Sequence, residues 1–105
     1  MKSILIIDDD ALIRKTLITH LNRRGCETRA VEDGESGLEA FFAGNPDLVL
    51  LDVRLPDLDG LEVLRRIRDK SPRAVVVVMT AFDDMKTTVE AVKGGAFEYL
   101  VKPLD

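Results

Sequence analysis

Leu48-Val49-Leu50-Leu51-Asp52 decides the fold of this chain. Its apolar residues lack polar alternation and the run is too short for a helix, so it reads as a buried strand of a parallel sheet. The strand ends in a carboxylate. A second run, Ile4-Leu5-Ile6-Ile7, ends the same way, in Asp8-Asp9-Asp10. Ala74 to Met79 is followed by Thr80, and Tyr99-Leu100-Val101 by Lys102. Open parallel α/β sheets carry their functional groups outside the carboxyl ends of the strands. The acids, the hydroxyl and the ammonium should therefore converge on one pocket, with the chemistry of a magnesium-dependent phosphoryl acceptor.

Working outward, strands and helices alternate. The first strand covers about Ser3 to Asp8, and a helix follows from Ala11 to Arg24 with Ile13, Leu17 and Leu21 at helical spacing. Gly25 stops it. Glu27 to Val31 is a short second strand. Gly34 to Ala43 is a helix carrying Leu38, Phe41 and Phe42 inward, ended by Gly44-Asn45-Pro46. After the Asp52 strand and a Pro56/Gly60 loop, a third helix runs from Gly60 to Lys70 with Leu61, Leu64 and Ile67 on one face. Ser71-Pro72 breaks it before a strand from Ala74 to Thr80. A fourth helix spans Asp84 to Lys93, with Met85, Val89 and Val92 inward, and Glu98 to Val101 is the fifth strand. Phe97 is expected in or near the core. Helical crossovers of this length imply parallel pairing with right-handed connections.

Composition narrows the function. A chain of 105 residues with 46% apolar residues is one domain with a modest core. A net charge of −4 gives no general attraction to nucleic acid or anionic membrane. Arg65, Arg66, Arg68 and Lys93 are expected on solvated helix faces, and His20 on the surface. No apolar stretch nears the ~20 residues that span a bilayer. Met1-Lys2 enters a strand directly, without a signal-peptide pattern. Cys26 is alone, which fits a reducing cytoplasm and a small half-buried apolar role.

Asp8, Asp9 and Asp52 should lie a few ångströms apart, where like charges repel by roughly 1 kcal/mol in water and ~4 kcal/mol near a protein surface. A hard divalent cation relieves this, and Mg²⁺ favours one or two carboxylates plus waters and phosphate oxygens. The all-oxygen set excludes structural zinc. Asp10 is expected to cap the first helix and Asp59 the third, with Asp57 in the exposed loop and Asp83 and Asp84 at the start of the fourth. Thr80 can donate to a phosphoryl oxygen, Lys102 supplies a compact positive charge, and Ala81 leaves room.

These segments resemble the receiver domain of two-component response regulators: Ile4 to Asp10, Leu51 to Pro56 with Asp59-Gly60, Met79-Thr80-Ala81, and Tyr99 to Pro103. Gly94 to Leu100 further resembles receivers of sigma-54-dependent transcriptional activators. The resemblance implies a flavodoxin-like (CheY-like) doubly wound α/β fold, its five parallel strands in the order 2-1-3-4-5. It implies that Asp52 is the phosphoacceptor, served by a sensor histidine kinase. Asp9 and Asp52 would bind Mg²⁺ directly, Asp8 through water, and Arg54 through its backbone carbonyl. Thr80 and Tyr99 would form the switch pair, and Lys102 would contact the phosphoryl group. Such a domain modifies and demodifies itself and turns over no substrate. If the natural chain is longer, a DNA-binding or ATPase output domain in cis is implied.

Receivers continue into a fifth helix, which Pro103-Leu104-Asp105 cannot supply. Residues 1–105 are therefore expected to be a receiver shortened before its last helix, or one whose open sheet face is covered by a partner or a second copy. Three rivals fit less well. A haloacid-dehalogenase-type aspartyl phosphatase wants an acid where Arg54 stands. A flavodoxin-like cofactor domain wants a phosphate cradle where Asp8-Asp9-Asp10 stands. A receiver that is never phosphorylated has no use for the intact acids, Thr80 and Lys102.

Overall fold

Runs of β-branched and aliphatic residues form the strands, and carboxylate caps start the first three helices between them. The computed structural model describes residues 2–81 and 85–102, apart from the side chains of residues 85, 87 and 88. The elements are β1 (Ser3–Ile7), α1 (Ala11–Arg23), β2 (Glu27–Val31), α2 (Gly34–Gly44) and β3 (Leu48–Asp52), followed by α3 (Gly60–Lys70), β4 (Val76–Ala81), α4 (Met85–Lys93) and β5 (Glu98–Lys102). All strand pairs are parallel, in the order β2-β1-β3-β4-β5 expected from the sequence. Among the described residues no helix is long and apolar enough to cross a membrane.

Strand residues alternate between two cores. On one face Leu5, Ile7, Val49, Leu51, Val76 and Val78 pack against α2, α3 and α4 through Leu38, Phe41, Val63, Leu64, Ile67 and Ala91. On the other, Ile4, Ile6, Leu50 and Met79 lie under Leu17, Ile18 and Leu21 of α1. Among the described residues α1 alone covers that face, and none of its residues is fully buried. Leu100 of β5, level with Met79, remains 40% exposed.

Several expected core residues point outward. Phe41 faces the core, so Phe42, about 100° further round the helix, is 48% exposed and meets Phe41 edge-on. Among the described side chains of α4 the buried one is Ala91, and the helical period turns Val89 and Val92 toward solvent, while the expected inward side chain of Met85 lies outside the described residues. Phe97 follows buried Ala96 and is 73% exposed. The fourth strand begins at Val76 rather than Ala74, because Ala74 N–H closes a turn onto Ser71 O at 3.0 Å. The expected start of α4 at Asp84 and the acids Asp83 and Asp84 lie outside the described residues. Cys26 is half-buried and His20 exposed, as expected.

Arg68 is a second correction. Instead of facing water, its guanidinium donates to Gly95 O at 2.8 Å, to Pro72 O at 3.1 Å and to Ala74 O. It ties the end of α3 to the turns before β4 and β5. Arg65 and Arg66 do lie at the surface and pair with Glu62.

Candidate phosphoacceptor site

The turn after β1 is built around Asp8. Asp10 accepts from Leu12 N at 2.9 Å and Ile13 N at 3.4 Å, which starts α1. Its own N–H donates to Asp8 Oδ1 at 2.9 Å, and the Arg14 guanidinium donates to the Asp8 carbonyl at 2.7 Å. Asp8 is fully buried and Asp9, on the outside of the turn, is exposed.

Strand alternation then decides which groups meet. Asp8 continues the face of Ile4 and Ile6, and Asp52 that of Leu50, so both carboxylates project on the α1 side. Lys102 is level with Ala81, which shares the face of Met79. The lysine therefore reaches the acids across a side chain no larger than a methyl. Its Nζ lies 2.8 Å from Asp8 Oδ2 and donates to Asp52 Oδ2 at 3.1 Å. Asp52 Oδ1 accepts from Arg54 N–H at 3.1 Å. Ligand atoms of Asp8, Asp9 and Asp52 all lie within 4.8 Å of one another.

Thr80 falls on the opposite face, one residue out of phase. It is completely buried, and its hydroxyl donates to the Ala81 carbonyl at 3.2 Å. Tyr99, level with Val78 on that same face, is 36% exposed. The structure thus joins Asp8, Asp9, Asp52 and Lys102, and leaves the two expected switch residues outside the cluster.

Burial pushes the Asp52 carboxyl above its usual range; the charge of Asp8 adds to this, while the Arg54 N–H and Lys102 oppose it. Burial alone would lower the Lys102 ammonium, but Asp8 and Asp52 outweigh it and raise it. Asp8 Oδ2 is buried, and the Lys102 ammonium lies 2.8 Å from it. The buried carboxylates of Asp8 and Asp52 beside the exposed one of Asp9 make an all-oxygen donor set that fits a hard divalent cation.

The loop after Asp52 is fixed at several points. Arg54 and Asp59 form an antiparallel bridge, and Asp59 caps α3 by accepting from Leu61 N at 2.9 Å. Gly60 N–H donates to Val53 O at 2.9 Å, and a Cβ at Gly60 would lie 2.5 Å from Val53 Cα and 2.6 Å from Asp52 O. Asp57 does more than the sequence suggests. Although exposed, it accepts from Gly34 N at 2.7 Å and Glu35 N at 2.9 Å, capping α2 from another loop. No local pattern announces a cap 23 residues away.

Residues 4–105 match the family model described as the response regulator receiver domain. The chain belongs to this family. The receiver is 40% identical over 102 residues to the regulatory protein AtoC of Escherichia coli K12, covering 97% of this chain and 22% of that protein. It is also 40% identical over 103 residues to the DNA-binding transcriptional regulator NtrC of Proteus hauseri, covering 98% of this chain and 22% of that one. It thus spans about a fifth of the length of these relatives, regulators of the kind that the Gly94–Leu100 stretch resembles. A crystal structure of a receiver domain protein from Clostridium thermocellum superposes with a TM-score of 0.95 at 33% identity, covering 100% of this chain and 85% of that one. Membership in this family displaces the phosphatase and cofactor-domain readings.

Proposed function

We propose that this receiver accepts a phosphoryl group on Asp52, with Mg²⁺, from a phosphohistidine of a sensor kinase. The observation that carries the reading is the meeting of three carboxylates, Asp8, Asp9 and Asp52, with the half-buried Lys102 paired to two of them, Asp8 and Asp52. Asp9, Asp52, the Arg54 carbonyl and, through water, Asp8 would hold the ion. Bound there, it supplies a positive charge that offsets that of the acids and the phosphoryl oxygens.

The chain's own groups do the rest. An Asp52 carboxylate oxygen attacks phosphorus in line; the phosphorus–nitrogen bond breaks and its electron pair stays on the imidazole. Arg54 N–H fixes the rotation of the Asp52 carboxylate. Lys102 moves its ammonium from the acids to the incoming oxygens, since phosphoryl transfer needs positioning and neutralisation above all. The added group carries roughly −1.5 to −2 charge. That charge draws the Thr80 hydroxyl away from the Ala81 carbonyl, and the space it leaves admits the Tyr99 ring. The surface of α4 and β5 then shifts population. In this reading the domain turns over no substrate, works in the cytoplasm, and controls an output domain in cis. A further helix or a second copy covers the α1 face of the sheet.

Acetyl phosphate or beryllofluoride with Mg²⁺ tests the assignment. An adduct is expected on Asp52 by mass spectrometry and lost in Asp52→Asn; normal labelling of that variant sinks the reading.

A further inference from the structure

We infer that Asp57 is a positioning residue for the Asp52 site, acting through the β3–α3 loop without touching the ion or the phosphoryl group. The inference rests on the phosphoacceptor reading of Asp52.

A helix begins with N–H groups that its own turns cannot satisfy. In α2 they are divided between two loops. Asp33 takes Ser36 N–H on its side chain at 2.7 Å and Gly37 N–H on its carbonyl at 3.0 Å. Gly34 and Glu35 N–H go instead to the two oxygens of Asp57, at 2.7 and 2.9 Å. Asp57 Oδ1 also accepts from Leu58 N–H at 2.9 Å, so the carboxylate shapes its own loop while gripping the helix. The interface is tight. A Cβ at Gly34 would come within 2.9 Å of Leu58 Cβ, and Arg66 of α3 reaches Glu35 of α2 at 3.6 Å.

The loop from Arg54 to Asp59 is therefore tied at both its base and its tip. Its base is closed by the Arg54–Asp59 bridge, and its tip is held to α2 by Asp57. Arg54 sits on that base, and its N–H orients Asp52 Oδ1. Its carbonyl is the proposed fourth ligand. Releasing the tip removes one of these ties, so Arg54 loses definition and with it the carboxylate it orients.

Capping alone is a structural role, and Asp33 provides the control. Magnesium titration by calorimetry on wild type, Asp33→Ala, Asp57→Ala and Asp57→Asn separates the two, with circular dichroism and thermal melts run on each. Asp57→Ala is expected to weaken Mg²⁺ binding about tenfold, the lower range for lost support around a metal site. Asp33→Ala should lose a comparable cap yet keep wild-type affinity. Asp57→Asn, which keeps one acceptor oxygen and the shape, should fall between and serves if the alanine variant does not fold. Equal affinities in Asp57→Ala and wild type, or equal losses in Asp33→Ala and Asp57→Ala, overturn the inference. A wild type that takes up neither Mg²⁺ nor beryllofluoride overturns the reading of Asp52 instead.

Discussion

Lys102 and Asp52 meet at 3.1 Å although strand β4 separates their own. The contact crosses Ala81, and the same ammonium faces the buried Asp8 at 2.8 Å. Lysine is thus the cation that keeps two neighbouring buried carboxylates together before any ion or phosphoryl group arrives. On the proposed reading, stability, metal binding and signalling would share this one side chain.

Lys102→Ala leaves Asp8 and Asp52 without that cation. Removing one partner from a buried pair costs about 3–5 kcal/mol, and the partial exposure of Lys102 puts the expected loss at the lower end, about 3 kcal/mol. Urea denaturation in EDTA should show this loss, and saturating Mg²⁺ should restore much of it. With Mg²⁺ the variant stays folded but gives a reduced hydrogen-exchange response to beryllofluoride. Equal losses with and without Mg²⁺, or an undiminished response, contradict this role.

Asp52→Asn should stabilise the metal-free protein at neutral pH. The folded carboxyl titrates above its usual range, so the native state holds its proton longer than the unfolded chain. Ionised Asp52 therefore costs stability above its folded pKa, and that cost disappears once pH falls below the ordinary carboxylate range. Melts from about pH 2.5 to pH 8 should show the variant ahead at the upper end and level with wild type at the lower end. A pH-independent difference removes the argument.

Asp9→Ala and Asp10→Ala should separate cleanly. Asp9 offers a ligand atom to the cluster, whereas Asp10 caps α1. The Asp10→Ala chain keeps the backbone N–H that holds Asp8 and loses about 1 kcal/mol of stability with Mg²⁺ affinity intact. The Asp9 variant keeps its stability and loses most Mg²⁺ binding by calorimetry.

What was legible in the sequence follows from what is local. Strand-end acids, helix caps and crossovers depend on neighbours along the chain, so Asp8, Asp9, Asp52 and Lys102 could be placed together beforehand. Thr80 was expected in the same pocket, but strand alternation, one residue out of phase with Ala81, turns it to the other face. Burial on a helix depends on which stripe the sheet selects, so Phe42, Val89 and Val92 were misplaced. Long-range polar ties leave no local trace. Arg68 looked like one of several surface arginines, and Asp57 like a loop acid, until the fold brought them carbonyls and N–H groups from distant segments.

Gly60→Ala tests how closely α3 is set against the strand that ends in Asp52. The new methyl would overlap backbone at Val53 and Asp52, which cannot turn aside as a side chain can. Overpacking of this kind costs about 1–3 kcal/mol. Chemical denaturation should show that loss, and Mg²⁺ affinity should fall with it because Asp52 is displaced. An unchanged affinity would mean that the strand end adjusts without moving its carboxylate.

The last prediction concerns the α1 face of the sheet. Leu17, Ile18 and Leu21 are only partly buried, and Leu100 is 40% exposed on the edge strand β5. Covering what remains exposed contributes about 1 kcal/mol for each side chain, since full burial is worth roughly 1.5–3 kcal/mol. Some 4 kcal/mol corresponds to a millimolar affinity, before the cost of ordering two partners. The 105-residue chain alone should therefore associate weakly, its mean mass by light scattering or sedimentation rising only at high concentration. Leu100→Asp places a charge on that face and edge, where Leu100 is 40% exposed, and should abolish the rise without lowering the melting temperature. A wild-type chain that stays monomeric at every concentration, with a sharp thermal transition, would show that α1 alone shields this face well enough.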